Sequence, residues 1–202
     1  MNDPKTTLRQ SLRLSRQQLS RDQVVVRSSA IVRHVVTARF YQRARRIGLY
    51  QPIDNEVDPS LLLLDAACSG KEIFLPIADK RTRSLRFVPY HSGEPLRQGS
   101  FGILEPVPST LDPGLPDPGQ LDLIFQPLVG FDRSGGRLGF GGGYYDRALS
   151  RHGGRDFSGT QLVGLAYAFQ EVPVVPRQPH DVPMGWVVTE AGVHLCANPH
   201  PC

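Results

Sequence analysis

The stretch DLIFQPLVGFDRSGGRLGFGGGYYDRAL, residues 122–149, decides the fold. It begins with the apolar run DLIFQPLVGF, which is typical of a buried central strand, and it ends in GYYDRAL, which has the composition of a helix start. Between them lie six glycines within nine residues, Gly135 to Gly143. Strand, glycine-rich loop and helix, in that order, form an arrangement in which backbone N–H groups converge on a phosphate.

The glycine-rich segment matches neither common nucleotide motif. It lacks the Lys-Ser/Thr pair of a P-loop and the spacing G-x-G-x-x-G of a dinucleotide fingerprint. Arg137 would reach the same anion, and Asp146 falls in the first turn of the predicted helix. Each feature also has a plain structural alternative: a tight turn for the glycines, a surface ion pair for Arg137, a helix-dipole partner for Asp146, and core packing for Tyr144 and Tyr145. The combination favours phosphate binding.

Working outward, the patterns predict one domain over 1–202. A helical segment over 1–42 begins with Pro4 after a candidate N-cap, Asp3, and continues after a capping box formed by Ser20 and Gln23. From residue 43 onward, an α/β core over 43–202 alternates strands with helices. We expect a three-layer, Rossmann-like and mostly parallel sheet with helices on both faces. The predicted strands are RIGLYQP, KEIFLPIA, SLRFVPY, DLIFQPLVGF, QLVGLAYAF and GWVVTEAGVHL; the clearest core helix is DPSLLLLDAACSG, ending at Gly70.

Composition excludes several classes of protein. The 202 residues carry a net charge of +4, and arginines are frequent in the first 46 residues. We interpret them as solvated helix faces, since no nucleic-acid motif accompanies them. No apolar run approaches the ~20 residues of a membrane span, and three cysteines without metal spacing indicate a reducing compartment. We therefore expect a cytoplasmic monomer with no nucleic-acid or membrane partner, and proline-rich residues 106–120 to form a long connection.

Five motifs together resemble the 5-formyltetrahydrofolate cyclo-ligase family, also called methenyltetrahydrofolate synthetases. They are KTTLR at 5–9, YQPIDNEVD at 50–58, FGILEP at 101–106, GRLGFGGGYYDR at 136–147, and VGLAYAFQ from 163 with the later PHDVP and VVTEAG. The resemblance covers nearly the whole chain. It implies a fold like that of the sugar-phosphate isomerases and CoA transferases. It also implies an ATP- and Mg²⁺-dependent ligase that cyclises 5-formyltetrahydrofolate, possibly polyglutamylated, to 5,10-methenyltetrahydrofolate by phosphorylating the formyl oxygen.

The resemblance also assigns residues. Asp146 and Asp181 match the Mg²⁺ carboxylates, and Arg137, Tyr145 and Asp146 are expected to act in catalysis. The residues that match the ATP site are Lys5, Arg9, Arg137, Leu138, Gly139, Phe140, Gly141, Gly142, Gly143, Tyr144 and Tyr145. Those that match the folate site are Gln51, Glu56, Phe140, Gly141, Gly142, Gly143 and Tyr144. Without the family match, Lys5 and Arg9 would be assigned to an exposed basic helix and Glu56 to a loop surface.

The chain departs from the family pattern at three positions of interest. Phe140 and Gly142 stand where other members carry Arg and Lys, so fewer side-chain cations are expected at the triphosphate. Gln178 stands where Glu is common. Two other functions stay open: a sugar-phosphate isomerase or acyl-CoA transferase relative that binds phosphate without hydrolysing ATP, and a basic RNA- or metabolite-binding module.

Overall fold

A seven-stranded, mostly parallel sheet forms the centre of the molecule. The computed structural model describes residues 4–107, 116–150 and 159–197. The strands are β1 (Arg46–Gly48), β2 (Glu72–Asp79), β3 (Ser84–Pro89), β6 (Leu123–Pro127), β9 (Gln161–Leu165), β10 (Trp186–Thr189) and β11 (Gly192–Leu195). Their order is β11-β10-β9-β6-β1-β2-β3, with parallel inner pairs and antiparallel pairs at the two edges. The predicted α/β class is confirmed.

Within the described ranges, the α-helices around the sheet are α1 (Pro4–Gln17), α2 (Arg21–Thr37), α3 (Arg39–Arg43), α4 (Ser60–Cys68) and α5 (Tyr144–Ser150). The predicted capping box is present, since Ser20 accepts from the Gln23 N–H and Gln23 accepts from the Ser20 N–H. Helix α4 ends before Gly70, which has a φ of 67°. The proposed N-cap Asp3 lies outside the described residues.

Alternating side chains of the strands divide the core between two faces of the sheet. On β6, Leu123 and Phe125 pack in a cluster with residues of α2, α3 and α4, whereas Ile124 packs in a second cluster with Leu149 of α5. This alternation follows from the two-residue period of a strand. The apolar run was therefore correctly predicted as a central strand covered on both faces.

The central strand β6 occupies only the first part of the apolar run 122–131. The sequence pattern had predicted one strand over the whole run, which is wrong. Strand β6 ends at Pro127, and Gly130–Phe131 (β7) pairs instead with Arg137–Leu138 (β8) in a separate two-stranded ribbon. The chain reverses here because the Asp132 carboxylate accepts hydrogen bonds from the N–H groups of Ser134 at 2.9 Å and Gly136 at 2.8 Å. A second ribbon joins Leu96–Gln98 (β4) to Leu104–Pro106 (β5).

The sheet has a topological switch point between its neighbouring strands β1 and β6. From β1 the chain continues to β2 on one side, and from β6 it continues to β9 on the other. In such sheets the crevice outside the carboxyl ends of the strands is where ligands bind. Of the predicted connection 106–120, residues 108–115 lie outside the described part, and Pro118–Gln120 forms a 3₁₀ turn.

The length and the hydropathy of a helix decide whether it can cross a bilayer. Within the described ranges, no helix is both long and apolar enough to span a membrane.

Candidate active site

A cavity of about 530 Å³ opens at the carboxyl ends of β1 and β6. That volume is within the range of small-molecule sites. Its wall contains every residue that the sequence predicted for the site: Lys5, Arg9, Gln51, Glu56, Arg137, Leu138, Gly139, Phe140, Gly141, Gly142, Gly143, Tyr144, Tyr145, Asp146 and Asp181. The fold thus brings together groups that lie up to 176 residues apart in the chain.

The glycine loop combines glycines that the turn requires with one that the turn does not require. Gly141 has a φ of 99° and Gly143 a φ of 65°, conformations that L side chains rarely adopt. Gly139 has no such φ, and a Cβ built there would meet no atom within 4 Å. The carbonyl of Gly139 accepts a hydrogen bond from Arg9 Nε at 2.8 Å. A tight turn therefore explains Gly141 and Gly143 but not Gly139.

Arg137 and Asp146 form an ion pair in the wall of the cavity. The guanidinium of Arg137, whose side chain is 5% exposed, donates to Asp146 Oδ1 and to Gln126 Oε1. Asp146 Oδ1 also accepts from the Val182 N–H at 3.3 Å. Because α5 begins at Tyr144, its first turn sets the position of Asp146, while β8 sets that of Arg137. The pair links the glycine loop to the segment that contains Asp181.

The second carboxylate, Asp181, is paired with the N-terminal helix. Lys5 Nζ lies 3.1 Å from Asp181 Oδ2, which also accepts from the Gln178 N–H at 2.8 Å. In the described part of the chain, no group of three or more His, Cys, Asp or Glu residues could hold a metal ion. Mg²⁺ in phosphoryl-transfer sites is bound by one or two carboxylates together with substrate phosphates and water. The pair Asp146 and Asp181 fits that donor set.

Glu56 is a buried carboxylate in the cavity wall, with 4% of its surface exposed. Its Oε2 accepts from the Ile53 N–H at 3.1 Å, while its Oε1 has no hydrogen-bond partner in the ranges described. Burial raises the pKa of Glu56 to about 7, although Arg16 Nη1, at 3.7 Å from Oε1, acts in the opposite direction. A buried acceptor oxygen without a partner, on a carboxylate that lines a cavity, is suited to N–H donors of a ligand.

The ring of Phe140, a position at which the sequence departs from the expected family pattern, lies beside two cations of helix α1. The Cζ atoms of Arg13 and Arg16, both on α1, lie 5.0 and 5.4 Å from the centroid of the Phe140 ring. Cation–π contacts of this kind are attractive at such distances. The ring of Phe140 therefore lies beside two positively charged groups of α1.

Sequence reasoning missed several residues of the cavity wall, among them Tyr50, Phe101 and Glu105. The ring of Phe101 meets that of Tyr144 edge-on, with centroids 5.5 Å apart. Glu105 is buried and accepts from the Ala78 N–H at 3.1 Å. The signal was available, because Phe101 and Glu105 both belong to the FGILEP motif, from which no site residue was assigned.

Known proteins resemble this chain over nearly its whole length. A model of the 5-formyltetrahydrofolate cyclo-ligase family matches residues 1–190. The 5-formyltetrahydrofolate cyclo-ligase of Haemophilus influenzae is 34% identical over 181 residues, covering 88% of this chain and 92% of that protein. The Mus musculus cyclo-ligase is 30% identical, covering 94% and 95%. The solved structure of Aquifex aeolicus 5,10-methenyltetrahydrofolate synthetase superimposes with a TM-score of 0.80 at 32% identity, covering 98% and 95%.

Proposed function

This chain belongs to the 5-formyltetrahydrofolate cyclo-ligase family, and we propose that the cavity described above binds ATP and the folate side by side. The protein is a ligase that forms 5,10-methenyltetrahydrofolate from 5-formyltetrahydrofolate. One observation supports the shared site above all others. The glycine loop with Asp146 and Asp181, suited to a nucleotide phosphate, and the buried carboxylate Glu56, suited to a heterocycle, line the same cavity.

The chemistry explains why a phosphoryl donor is needed. An N-formyl group is a poor electrophile because the nitrogen lone pair is delocalised into the carbonyl. Transfer of the γ-phosphoryl group of ATP to the formyl oxygen releases ADP and makes that oxygen a leaving group. The neighbouring amine of the folate then forms the new C–N bond, the C–O bond breaks, and phosphate departs with the oxygen. Catalysis of this kind depends on positioning and on neutralising phosphoryl charge.

We assign those tasks to the residues of the cavity. Arg137 would neutralise charge on the transferring phosphoryl group, and the amides of the glycine loop would hold the triphosphate, with Lys5 and Arg9 adding positive charge from α1. Asp146 and Asp181 would hold Mg²⁺, which supplies further charge neutralisation when bound. The ion pairs that these carboxylates make with Arg137 and Lys5 support this, since each carboxylate lies beside a cation that we assign to the phosphates.

The folate would occupy the part of the cavity around Glu56. We infer that Glu56 accepts paired N–H bonds from the pterin, with Gln51 beside it. The rings of Phe140, Tyr144 and Tyr145 would form the walls against which the flat heterocycle packs, and amides of Gly141 to Gly143 would border the formyl group. The burial of Glu56 and the lack of a hydrogen-bond partner for its Oε1 among the described residues support this assignment.

We also infer that residues 1–202 act as one functional domain, because the helical segment 1–42 lines the cavity of the core 43–202 with Lys5 and Arg9. The monomeric state, the cytoplasmic location, the absence of nucleic-acid and membrane partners, and the use of polyglutamylated substrate stay predictions.

Turnover of the purified protein tests the proposal. With 5-formyltetrahydrofolate, ATP and Mg²⁺, we expect the absorbance of the methenyl product to rise together with an equal amount of ADP. Omitting Mg²⁺ or ATP should abolish both signals. Folate-independent phosphate binding without ADP release would favour the isomerase or transferase alternative, and salt-sensitive oligonucleotide binding without turnover would favour the RNA-binding alternative.

A further inference from the structure

Arg16 is a buried arginine that contacts the loop presenting Glu56. Its side chain is 1% exposed, and its guanidinium lies 3.7 Å from Glu56 Oε1 and 3.2 Å from Asp54 Oδ2. It also donates to the Leu128 carbonyl at 3.4 Å. Burying a charged guanidinium costs free energy unless it is paired and hydrogen-bonded. Because Arg16 is buried, it does not serve to keep the protein surface charged. Its position beside a cavity carboxylate indicates a role in the cavity.

The loop between Gln51 and Glu56 contains a left-handed turn that is held by α1. Asp54 and Asn55 have φ values of 51° and 56°, in the left-handed region that Asp and Asn adopt more readily than other residues with a side chain. The Asn55 side chain donates to the carbonyls of Arg16 at 3.3 Å and Leu19 at 3.0 Å. Such conformations persist where the surroundings fix them, and they cluster at ligand sites. The backbone and side chain of Arg16 therefore both help to fix the turn that immediately precedes Glu56.

Arg16 is the cation that favours the ionised form of Glu56, and the hydrogen bond from the Ile53 N–H acts in the same direction. Burial and the neighbouring Asp54 carboxylate both favour the protonated acid, whereas Arg16 favours the carboxylate. The other titratable groups facing Glu56 are the phenols of Tyr50 and Tyr145, whose pKa values are raised by burial, so that both stay neutral near pH 7. The Tyr167 hydroxyl donates to the Glu56 backbone carbonyl at 3.2 Å and adds no charge.

We propose that Arg16 is a positioning residue for folate recognition, which favours the carboxylate form of Glu56 and fixes the 54–55 turn that directs it into the cavity. The proposal rests on the assignment of Glu56 to the folate under the proposed function. Only the ionised carboxylate accepts two N–H bonds; the protonated acid carries a donor on one oxygen and accepts less well. Arg16 would thus control folate affinity without contacting ATP.

The test compares Arg16→Met with the wild-type enzyme in the pH dependence of kcat/KM for 5-formyltetrahydrofolate at saturating Mg-ATP. An opposite charge within about 4–6 Å lowers a carboxyl pKa by roughly 1–3 units, so the acid limb of the profile should move at least about one pH unit towards alkaline pH. At pH 7 this lowers the ionised fraction of Glu56 from about a half to about a tenth, which predicts about a fivefold loss of kcat/KM. The loss should become small near pH 9.

Arg13→Met is the matched control. Arg13 lies on the same helix, pairs with the same Asp54 oxygen at 3.2 Å and faces the same Phe140 ring, but its side chain is 41% exposed and forms no ion pair with Glu56 among the described residues. We expect Arg13→Met to keep the wild-type profile. A second control is the double variant with Glu56→Gln, in which Arg16→Met should produce no further pH shift.

The outcomes separate this proposal from the function on which it rests. A wild-type enzyme without turnover would end the proposed function. Normal turnover with an unshifted profile in Arg16→Met, while Glu56→Gln weakens folate use, would overturn the role of Arg16 alone. If Arg16→Met does not fold, Arg16→Lys decides: it retains the charge but loses the forked contacts, so we expect an unshifted profile with a KM for the folate raised several-fold. An unchanged KM there would overturn the positioning role.

Discussion

Replacing Gly139 by alanine separates the two explanations of the glycine loop, a tight turn and a phosphate cradle. The new methyl group would meet no protein atom within 4 Å, and the backbone there is not left-handed. Gly→Ala at such a position stabilises a protein by about 0.4–1 kcal/mol. For a chain of this size that raises Tm by about 1–4 °C. If glycine were present only to form the turn, Gly139→Ala would be as active as the wild-type enzyme.

A phosphate cradle predicts a different result for ATP. A phosphate oxygen bound to a loop amide lies about 2.7–3.2 Å from the nitrogen, whereas a methyl carbon requires about 3.5–4.0 Å from its neighbours. A methyl group at Gly139 would therefore prevent at least one hydrogen bond to a charged oxygen, which is worth about 1.5–3 kcal/mol. We expect the KM for ATP to rise by at least about tenfold while the KM for the folate changes less.

Gly141→Ala is the comparison within the same loop. Its φ of 99° is strained for alanine, and its Cβ would lie 3.5 Å from Arg9 Cζ, an ordinary contact. We expect a loss of about 1–2 kcal/mol of unfolding free energy from the backbone alone. Thermal unfolding and turnover at varied ATP, measured on both variants, give the answer. A Gly139→Ala enzyme with a wild-type KM for ATP would refute the view that bare backbone at this position contacts the triphosphate.

Three further substitutions test other parts of the site. Asp146→Asn should lower kcat at least about a hundredfold and raise the Mg²⁺ concentration needed for half-maximal rate, with a near-native circular dichroism spectrum; normal Mg²⁺-dependent turnover would refute the metal role. Lys5→Ala should raise the KM for ATP several-fold. An unchanged KM would show that Lys5 has no role in ATP binding. Burial raises the pKa of Glu56 to about 7 from an ordinary 4.5, so this group favours the native state below pH 4.5, and its contribution is lost as pH rises through 7. The wild-type protein should therefore lose about 2–4 kcal/mol of unfolding free energy between pH 4.5 and 8, measured by urea denaturation, and Glu56→Gln should not show that loss.

The fold was predictable where the pattern is local. The capping box at Ser20 and the apolar runs around β1, β2 and β6 each specify their own element. The break after Pro127 was not predictable from hydropathy, because the run stays apolar through Phe131. That break depends on Asp132, whose carboxylate also accepts from the Val175 N–H at 2.9 Å, a contact between distant parts of the chain.

The site shows the same division between local and distant information. The glycine loop and Asp146 lie within one segment, so their association could be read directly. The pairing of Lys5 with Asp181 joins residues 176 positions apart and was not predicted, because the resemblance assigned the two residues separately to ATP and to Mg²⁺. Glu56 alone in a loop suggests a surface carboxylate; its burial and its raised pKa arise from tertiary packing against α1, which composition does not encode.

In the N-terminal helix α1, the spacing of the basic residues predicted more than we inferred from it. Arg16 follows Arg9 by seven residues, and Arg9 follows Lys5 by four, so all three side chains lie on one face of α1. At 1.5 Å per residue that face extends about 16 Å, the length of a small ligand. Among its contacts are Asp181, the Gly139 carbonyl and Glu56, which belong to the proposed metal, triphosphate and folate positions in turn. The arginines had been interpreted as solvated, which is wrong for Arg16.

One rigid helix therefore sets the distance between the two proposed ligand positions. Leu12 fixes α1 to the core, since it packs in one cluster with Val129, Leu138 and Val175. A change that tilts the helix would displace the groups facing ATP and the group facing the folate together, whereas a change at Lys5 or Arg16 alone affects one ligand. Reaction between the two ligands requires their reacting atoms to meet within about 3–3.5 Å. Carrying both sets of contacts on one helix is a direct way to maintain that distance.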